Sequence, residues 1–154
     1  MEDLSPFALA LPDERATASL AARIAARAGP GDVIALAGPL GSGKTSFARA
    51  FIRARFGTAE DVPSPTFTLV EIYSGGGPPV WHFDLYRLER ASDAWELGIE
   101  DAFADGISVI EWPDRLGALL PEERLLITLA FAETPAARIA TLAPSPAWAG
   151  RLSP

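Results

Sequence analysis

This sequence predicts an α/β fold: a P-loop NTPase-like sheet with parallel core strands and antiparallel additions, helices on both faces, forming one domain over residues 1–143. Three observations carry the prediction. The apolar run Val33-Ile34-Ala35-Leu36-Ala37 has the length and composition of a buried strand, and the pattern from Phe47 to Ile52 is helical. Between them, Gly38-Pro39-Leu40-Gly41-Ser42-Gly43-Lys44-Thr45 satisfies the phosphate-binding template Gly-x-x-x-x-Gly-Lys-Ser/Thr at every fixed position, and strand–loop–helix is the context that template requires. Farther along, two strand-like runs flank Gly75-Gly76-Gly77-Pro78-Pro79, which permits a hairpin and so an antiparallel pair.

The elements follow in order. Phe7 to Leu11 reads as a short strand. Pro12-Asp13-Glu14 then opens a helix, with proline and acids in the first turn as the helix dipole prefers. Ala16, Leu20, Ile24 and Ala28 recur every four residues as its buried stripe, Arg15, Arg23 and Arg27 lie away from that stripe, and Gly29-Pro30-Gly31 stops it. The helix after the glycine loop ends near Phe56-Gly57. Thr66 to Tyr73 and Val80 to Tyr86 have strand composition, and a helical stretch from Ser92 to Phe103 breaks at Gly98. Ile107 to Ile110 is a short buried strand, and Leu125 to Ala130 and Ala137 to Leu142 are two more strands. From Pro144 on, the prolines and sparse apolar content predict a flexible C-terminal tail over 144–154.

Composition narrows the function classes. The chain has 154 residues, 49% hydrophobic and 21% charged, as an ordinary globular domain does. The absence of cysteine excludes a disulfide framework, a thiolate metal site and a thiol nucleophile. A net charge of −7, with arginines scattered among more numerous carboxylates, argues against tight, direct nucleic-acid binding by this chain. The one local basic cluster, Arg49, Arg53 and Arg55, reads as the solvated face of the helix after the glycine loop. Met1-Glu2-Asp3-Leu4-Ser5-Pro6 is acidic and unlike a leader, and no apolar run approaches the length of a membrane span, so a cytoplasmic protein with no membrane partner is expected.

The chemistry centres on the loop. Its glycines let backbone N–H groups turn inward around phosphates at a helix N-terminus. Lys44, the only lysine of the chain, can reach β- and γ-phosphate oxygens, and the Thr45 hydroxyl can ligate Mg²⁺. Such a loop needs an acidic partner, and two candidates exist. Glu111 follows a buried strand, where ligands collect in open α/β sheets; Asp84 lies in the run His82-Phe83-Asp84-Leu85-Tyr86-Arg87. His82, the only histidine, reads as a supporting hydrogen-bonder rather than a base, and Trp112 as a core or interface aromatic. Arg87 is open to a phosphate contact or a surface ion pair. Ser64-Pro65-Thr66-Phe67-Thr68 sits where many nucleotide hydrolases keep a switch, and equally suits an ordinary loop–strand junction.

Taken together, the glycine loop, Ser64 to Val70, His82-Phe83-Asp84-Leu85-Tyr86-Arg87-Leu88, Glu96-Leu97-Gly98 and Ile110-Glu111-Trp112-Pro113 resemble, in order and spacing, the TsaE (YjeE) family over most of the chain, from about Leu11 to Arg138. That family comprises bacterial ATPases required for N6-threonylcarbamoyladenosine at position 37 of tRNAs reading ANN codons. The resemblance implies that Gly38, Leu40, Gly41, Ser42, Gly43, Lys44, Thr45 and neighbouring Ser46 hold ATP, with Thr17 and Thr66 near the nucleotide. It implies Thr45 and Glu111 as Mg²⁺ ligands, Ser64 to Thr68 as a switch, and Lys44, Asp84 and Glu111 as the catalytic set. It further implies partnership with a TsaB–TsaD pair, through which tRNA is met only indirectly. Where the family often has Gly-Arg-x-x-Arg, this chain reads Thr134-Pro135-Ala136-Ala137-Arg138 and keeps only the second arginine. Two other readings fit a phosphate loop: a small-molecule kinase, which needs a helical acceptor-binding insertion and an arginine-bearing lid, and a module that senses nucleotide without hydrolysing it.

Overall fold

The alternation of short apolar strands with helices resolves into a seven-stranded sheet in the computed structural model, which describes residues 5–57, 68–148 and 150–152. Its strands are β1 (Phe7–Leu11), β2 (Val33–Ala37), β3 (Val70–Tyr73), β4 (Val80–Asp84), β5 (Ile107–Glu111), β6 (Leu125–Phe131) and β7 (Arg138–Pro144), in the spatial order β1-β7-β6-β2-β5-β4-β3. The core strands β6, β2, β5 and β4 run parallel, while β3, β7 and β1 add antiparallel pairs at the flanks. The predicted fold class is what forms.

Two cores cover the two faces. Ile34 and Leu36 of β2 point into one cluster with helices α1 (Glu14–Arg27) and α2 (Lys44–Phe56). Val33 points into the other, with α3 (Ile99–Asp105), Phe83 and Leu116. Because strand side chains alternate, β2 is apolar throughout. Asp13 caps α1 by accepting from the Ala16 N–H at 2.9 Å. The buried face of α1 keeps Leu20 and Ile24 of the expected stripe and widens to one side with Thr17, Ala21 and Ala25; Ala28, just past the helix, is buried as expected, and Ala16 is only half-buried. The alanines Ala21, Ala25 and Ala48 bring α1 and α2 together in this core. Arg55 is not simply solvated: its Nη1 donates to the Ala25 and Ala28 carbonyls, 3.2 Å each, satisfying the otherwise open C-terminal end of α1.

Two strands are shorter than their composition suggests: β4 ends at Asp84 rather than Tyr86, and β3 starts late. Leu69 has a left-handed backbone (φ 67°), so β3 begins only at Val70, and the residues of that run through Phe67 lie outside the described ones. The helical stretch breaks at Gly98, as expected, where φ is 85° and an added Cβ would press on the Trp81 ring at 3.0 Å. A 3-10 segment, Ala91–Leu97, precedes the break and α3 follows it. Among the described residues no helix is long and apolar enough to cross a membrane.

The expected flexible tail is corrected for its described residues, 144–148 and 150–152. β7 runs to Pro144, and Trp148 beyond it is 1% exposed, buried in the same core as α1 and β7. The Ser145 N–H donates to the Arg124 carbonyl at 3.0 Å. Arg151 lies 4.6 Å over the Trp148 ring and pairs with Asp32. One large aromatic outweighs the poor average hydropathy of the segment. Trp148→Ala is therefore expected to cost about 3–5 kcal/mol of stability in urea unfolding; a loss near zero would restore the frayed tail.

Candidate functional site

Parallel pairing of β2, β5 and β4 sends three chain segments out at one edge of the sheet: the glycine loop after β2, Asp84 closing β4 and Glu111 closing β5. Asp84 and Glu111 are register partners, so their side chains share a face, and Leu36 flanks Glu111 from β2. A pocket of about 370 Å³ opens there, lined by Leu40, Gly41, Gly43, Lys44, Thr45, Ser46, Asp84, Tyr86, Arg87, Glu111 and Trp112. Both candidate acids are nearly buried, at 6% and 2% exposure.

Glu111 is the hub. Its Oε1 accepts from the Thr45 hydroxyl at 2.7 Å, and its Oε2 meets His82 Nε2 at 2.7 Å. His82 itself is fully buried. Lys44 donates from Nζ to the Gly38 and Pro39 carbonyls, at 2.7 and 2.9 Å, and lies 4.1 Å from the Trp112 ring centroid. Burial pulls the Lys44 ammonium below the ordinary lysine pKa, with Glu111, then Asp84, then Asp114 pulling it back up. Trp112 packs against the second core cluster, as expected of a core aromatic, and also walls the pocket over the loop lysine, with Tyr86 against it at 5.0 Å. It holds this place from a left-handed backbone, φ 59°, which costs a non-glycine residue about 1–2 kcal/mol.

Of the expected loop residues, Gly38 and Ser42 underlie the pocket rather than line it. Gly38 has φ 141°, and a Cβ there would stand 2.4 Å from the Leu129 carbonyl oxygen, so the loop passes too close to β6 for any side chain. Ser42 is fully buried and its hydroxyl has no partner among the described residues. Thr17 is not in the pocket; it lines an adjoining polar groove with Arg15, Arg49 and Arg53 that meets the pocket at Ser46. Thr66, and the candidate switch through Phe67, lie outside the described residues. Thr68 is exposed, with its hydroxyl 3.4 Å from Glu71 Oε1.

Arg138 has a role the sequence did not reveal. From the start of β7 its Nε donates to the Ser42 carbonyl at 3.0 Å and its Nη2 to the Gly41 carbonyl at 3.2 Å. Nη1 is held by the Pro135 and Ala137 carbonyls, and the guanidinium stacks 4.9 Å over Phe131. It ties down the loop carbonyls from behind. Its one sequence signal was the retained arginine of the turn, which pointed to a ligand rather than to the loop. The donor set suits a hard cation beside phosphates: a hydroxyl and a carboxylate oxygen in contact, leaving the remaining positions to phosphate and water.

A family model described as "Threonylcarbamoyl adenosine biosynthesis protein TsaE" matches residues 11–139. The chain belongs to the TsaE family. The family's role is in tRNA threonylcarbamoyladenosine biosynthesis. A Bacillus subtilis relative, "tRNA threonylcarbamoyladenosine biosynthesis protein TsaE", is 40% identical over 114 residues, 73% of this chain and 70% of its own length. A Rickettsia felis protein of the same description is 36% identical over 121 residues, 79% of this chain and 71% of its own. Among solved structures, the crystal structure of YdiB from Bacillus subtilis is similar with a TM-score of 0.75 and 31% identity, covering 92% of this chain and 87% of that one. In this TsaE chain the residues of the pocket all fall within the matched span.

Arg138→Ala removes two charge-assisted hydrogen bonds from the loop backbone. Amide hydrogen exchange at Gly41, Ser42 and Gly43 is expected to speed up by at least about tenfold, the equivalent of the lower end of what such bonds contribute. Unchanged exchange there would show that the loop holds its shape without this brace.

Proposed function

We propose that this TsaE chain is a Mg²⁺-dependent ATPase that hydrolyses ATP to ADP and phosphate. In this reading it acts in the cytoplasm with a TsaB–TsaD pair to support turnover in threonylcarbamoyladenosine formation on tRNA. The observation that carries the reading is the 2.7 Å contact between Thr45, at the first turn of α2, and Glu111 at the end of β5, directly beside Lys44. A threonine that follows the loop lysine and an acid on a neighbouring strand are the two protein oxygens a phosphate-loop site offers to Mg²⁺. When bound there, Mg²⁺ would supply charge neutralisation to the phosphates.

The side chains then divide the work. Loop amides and the N-terminus of α2 bind the phosphate oxygens. Lys44 leaves the Gly38 and Pro39 carbonyls for the phosphates, exchanging neutral acceptors for charged ones. Thr45 and Glu111 would hold the cation, while Asp84, next in the sheet, would orient the attacking water. Trp112 and Tyr86 wall the site from solvent, and Arg87 at its mouth can meet a phosphate.

Partner dependence is the part of the proposal that rests on charge. A chain of net charge −7 has little to offer an RNA backbone, so the tRNA contact belongs to other subunits. Phosphate release is the test. The isolated chain should turn over slowly, the TsaB–TsaD pair should accelerate it, and tRNA alone should not. Lys44→Ala should lower release by about 10²–10³-fold, as loss of a preorganised transition-state donor does. Glu111→Gln should cost hydrolysis far more than it costs unliganded thermal stability. Stimulation by tRNA without partners, or hydrolysis unaffected by Lys44→Ala, would contradict the proposal.

A further inference from the structure

His82 is the buried polar group that the proposed chemistry leaves without a task. It sits in the middle of β4, fully buried, on the sheet face it shares with Val80, Ile107 and Val109. Its Nε2 lies 2.7 Å from Glu111 Oε2, while its buried Nδ1 has no hydrogen-bond partner among the described residues. A polar ring in apolar surroundings with one nitrogen unsatisfied costs stability. The position would be cheaper to fill with a hydrophobe, unless the one bond it makes matters.

That bond has a definite sense. A carboxylate only accepts, so the imidazole proton is on Nε2 and the ring donates to Glu111. Glu111 is then held at both oxygens, by Thr45 at Oε1 and by His82 at Oε2. Register places His82 opposite Val109, two residues before Glu111 on the same strand, so the ring reaches the carboxylate from below while Thr45 reaches it from α2. We propose that His82 is a positioning residue: it fixes the Glu111 carboxylate so that the free lone pairs of Oε1 face the pocket beside Thr45. The inference rests on the Mg²⁺-nucleotide reading of that pocket. Histidine–carboxylate contacts behind a metal ligand have this effect elsewhere, and losing one typically weakens metal affinity about 10–100-fold.

One measurement does not depend on any ligand. The chain labelled with ¹⁵N-histidine gives signals from a single imidazole, because His82 is the only histidine. Unliganded, the ring should be the Nε2-protonated tautomer, and Glu111→Ala should shift its signals. Protonation at Nδ1 alone, or signals indifferent to Glu111→Ala, would overturn the assignment whatever reaction the protein catalyses.

The second measurement is the Mg²⁺ concentration that half-saturates binding of a non-hydrolysable ATP analogue, followed by calorimetry. His82→Phe should raise it by about 10–100-fold and leave metal-free analogue binding unchanged. His82→Gln, whose amide nitrogen matches the reach of Nε2, should recover most of the loss. An unchanged Mg²⁺ requirement in His82→Phe, or equal impairment in the Gln and Phe variants, would overturn the proposal. If His82→Phe fails to fold, His82→Asn takes its place, since its amide stops short of Glu111; equal Mg²⁺ requirements for Asn and Gln would then overturn it. Absence of any Mg²⁺-dependent binding by the wild-type chain would instead remove the function proposed above, and the tautomer would still report whether His82 engages Glu111.

Discussion

The contact between Thr45 and Glu111 is the constraint on which the site depends. It joins the first turn of α2 to the end of β5, across a sequence separation of 66 residues, at 2.7 Å. Only the parallel placement of β2 beside β5 allows it. The loop leaves β2 at the carboxyl edge, α2 returns beneath the sheet, and Glu111 arrives at the same edge from the neighbouring strand. The antiparallel strands at the two flanks supply core and edge but contribute no acid to the pocket. The influence of β7 is mechanical, through Arg138 on the loop carbonyls, and the core strand β6 adds Leu129 against Gly38.

The loop also holds on its own carbonyls the charge that a phosphate would draw. Lys44 is folded onto the Gly38 and Pro39 carbonyls and under the Trp112 face. A cation in that position has lost much of its hydration while the hydrogen bonds described for it go to neutral carbonyls, so burial lowers its pKa against the opposing pull of Glu111, Asp84 and Asp114. An anion entering the pocket meets a charge that gains by the exchange. The strained backbone of Trp112 fits this arrangement, since it places the indole over Lys44.

How much of this was legible in the sequence differs by range. Features set within a few residues were readable: the loop octet between a strand and a helix, the break at Gly98, the cap of α1 at Asp13 and the hairpin of β3 and β4. The pairing of Thr45 with Glu111 came from family likeness, and the strand order gives it a physical basis. Features set by distant packing were not readable. Trp148 docks because a cavity in the core accepts one indole, whatever the average polarity of its neighbours. Arg138 turns to the loop because β6 and β7 carry it there, and Arg55 turns to α1 because the helix ends meet. The bond from His82 to Glu111 needs the register of β4 on β5, which periodicity alone does not fix. Thr17 was placed near the nucleotide by likeness, yet it lines a groove that meets the pocket only at Ser46.

The most direct test is a crystal structure of this chain with Mg²⁺ and a non-hydrolysable ATP analogue. It should show Thr45 Oγ1 and a Glu111 oxygen in the coordination sphere of the cation, with Lys44 Nζ moved from the Gly38 and Pro39 carbonyls onto the phosphates. A cation held by Asp84 with Glu111 still turned to Thr45 and His82, or a nucleotide bound away from residues 38–45, would contradict it.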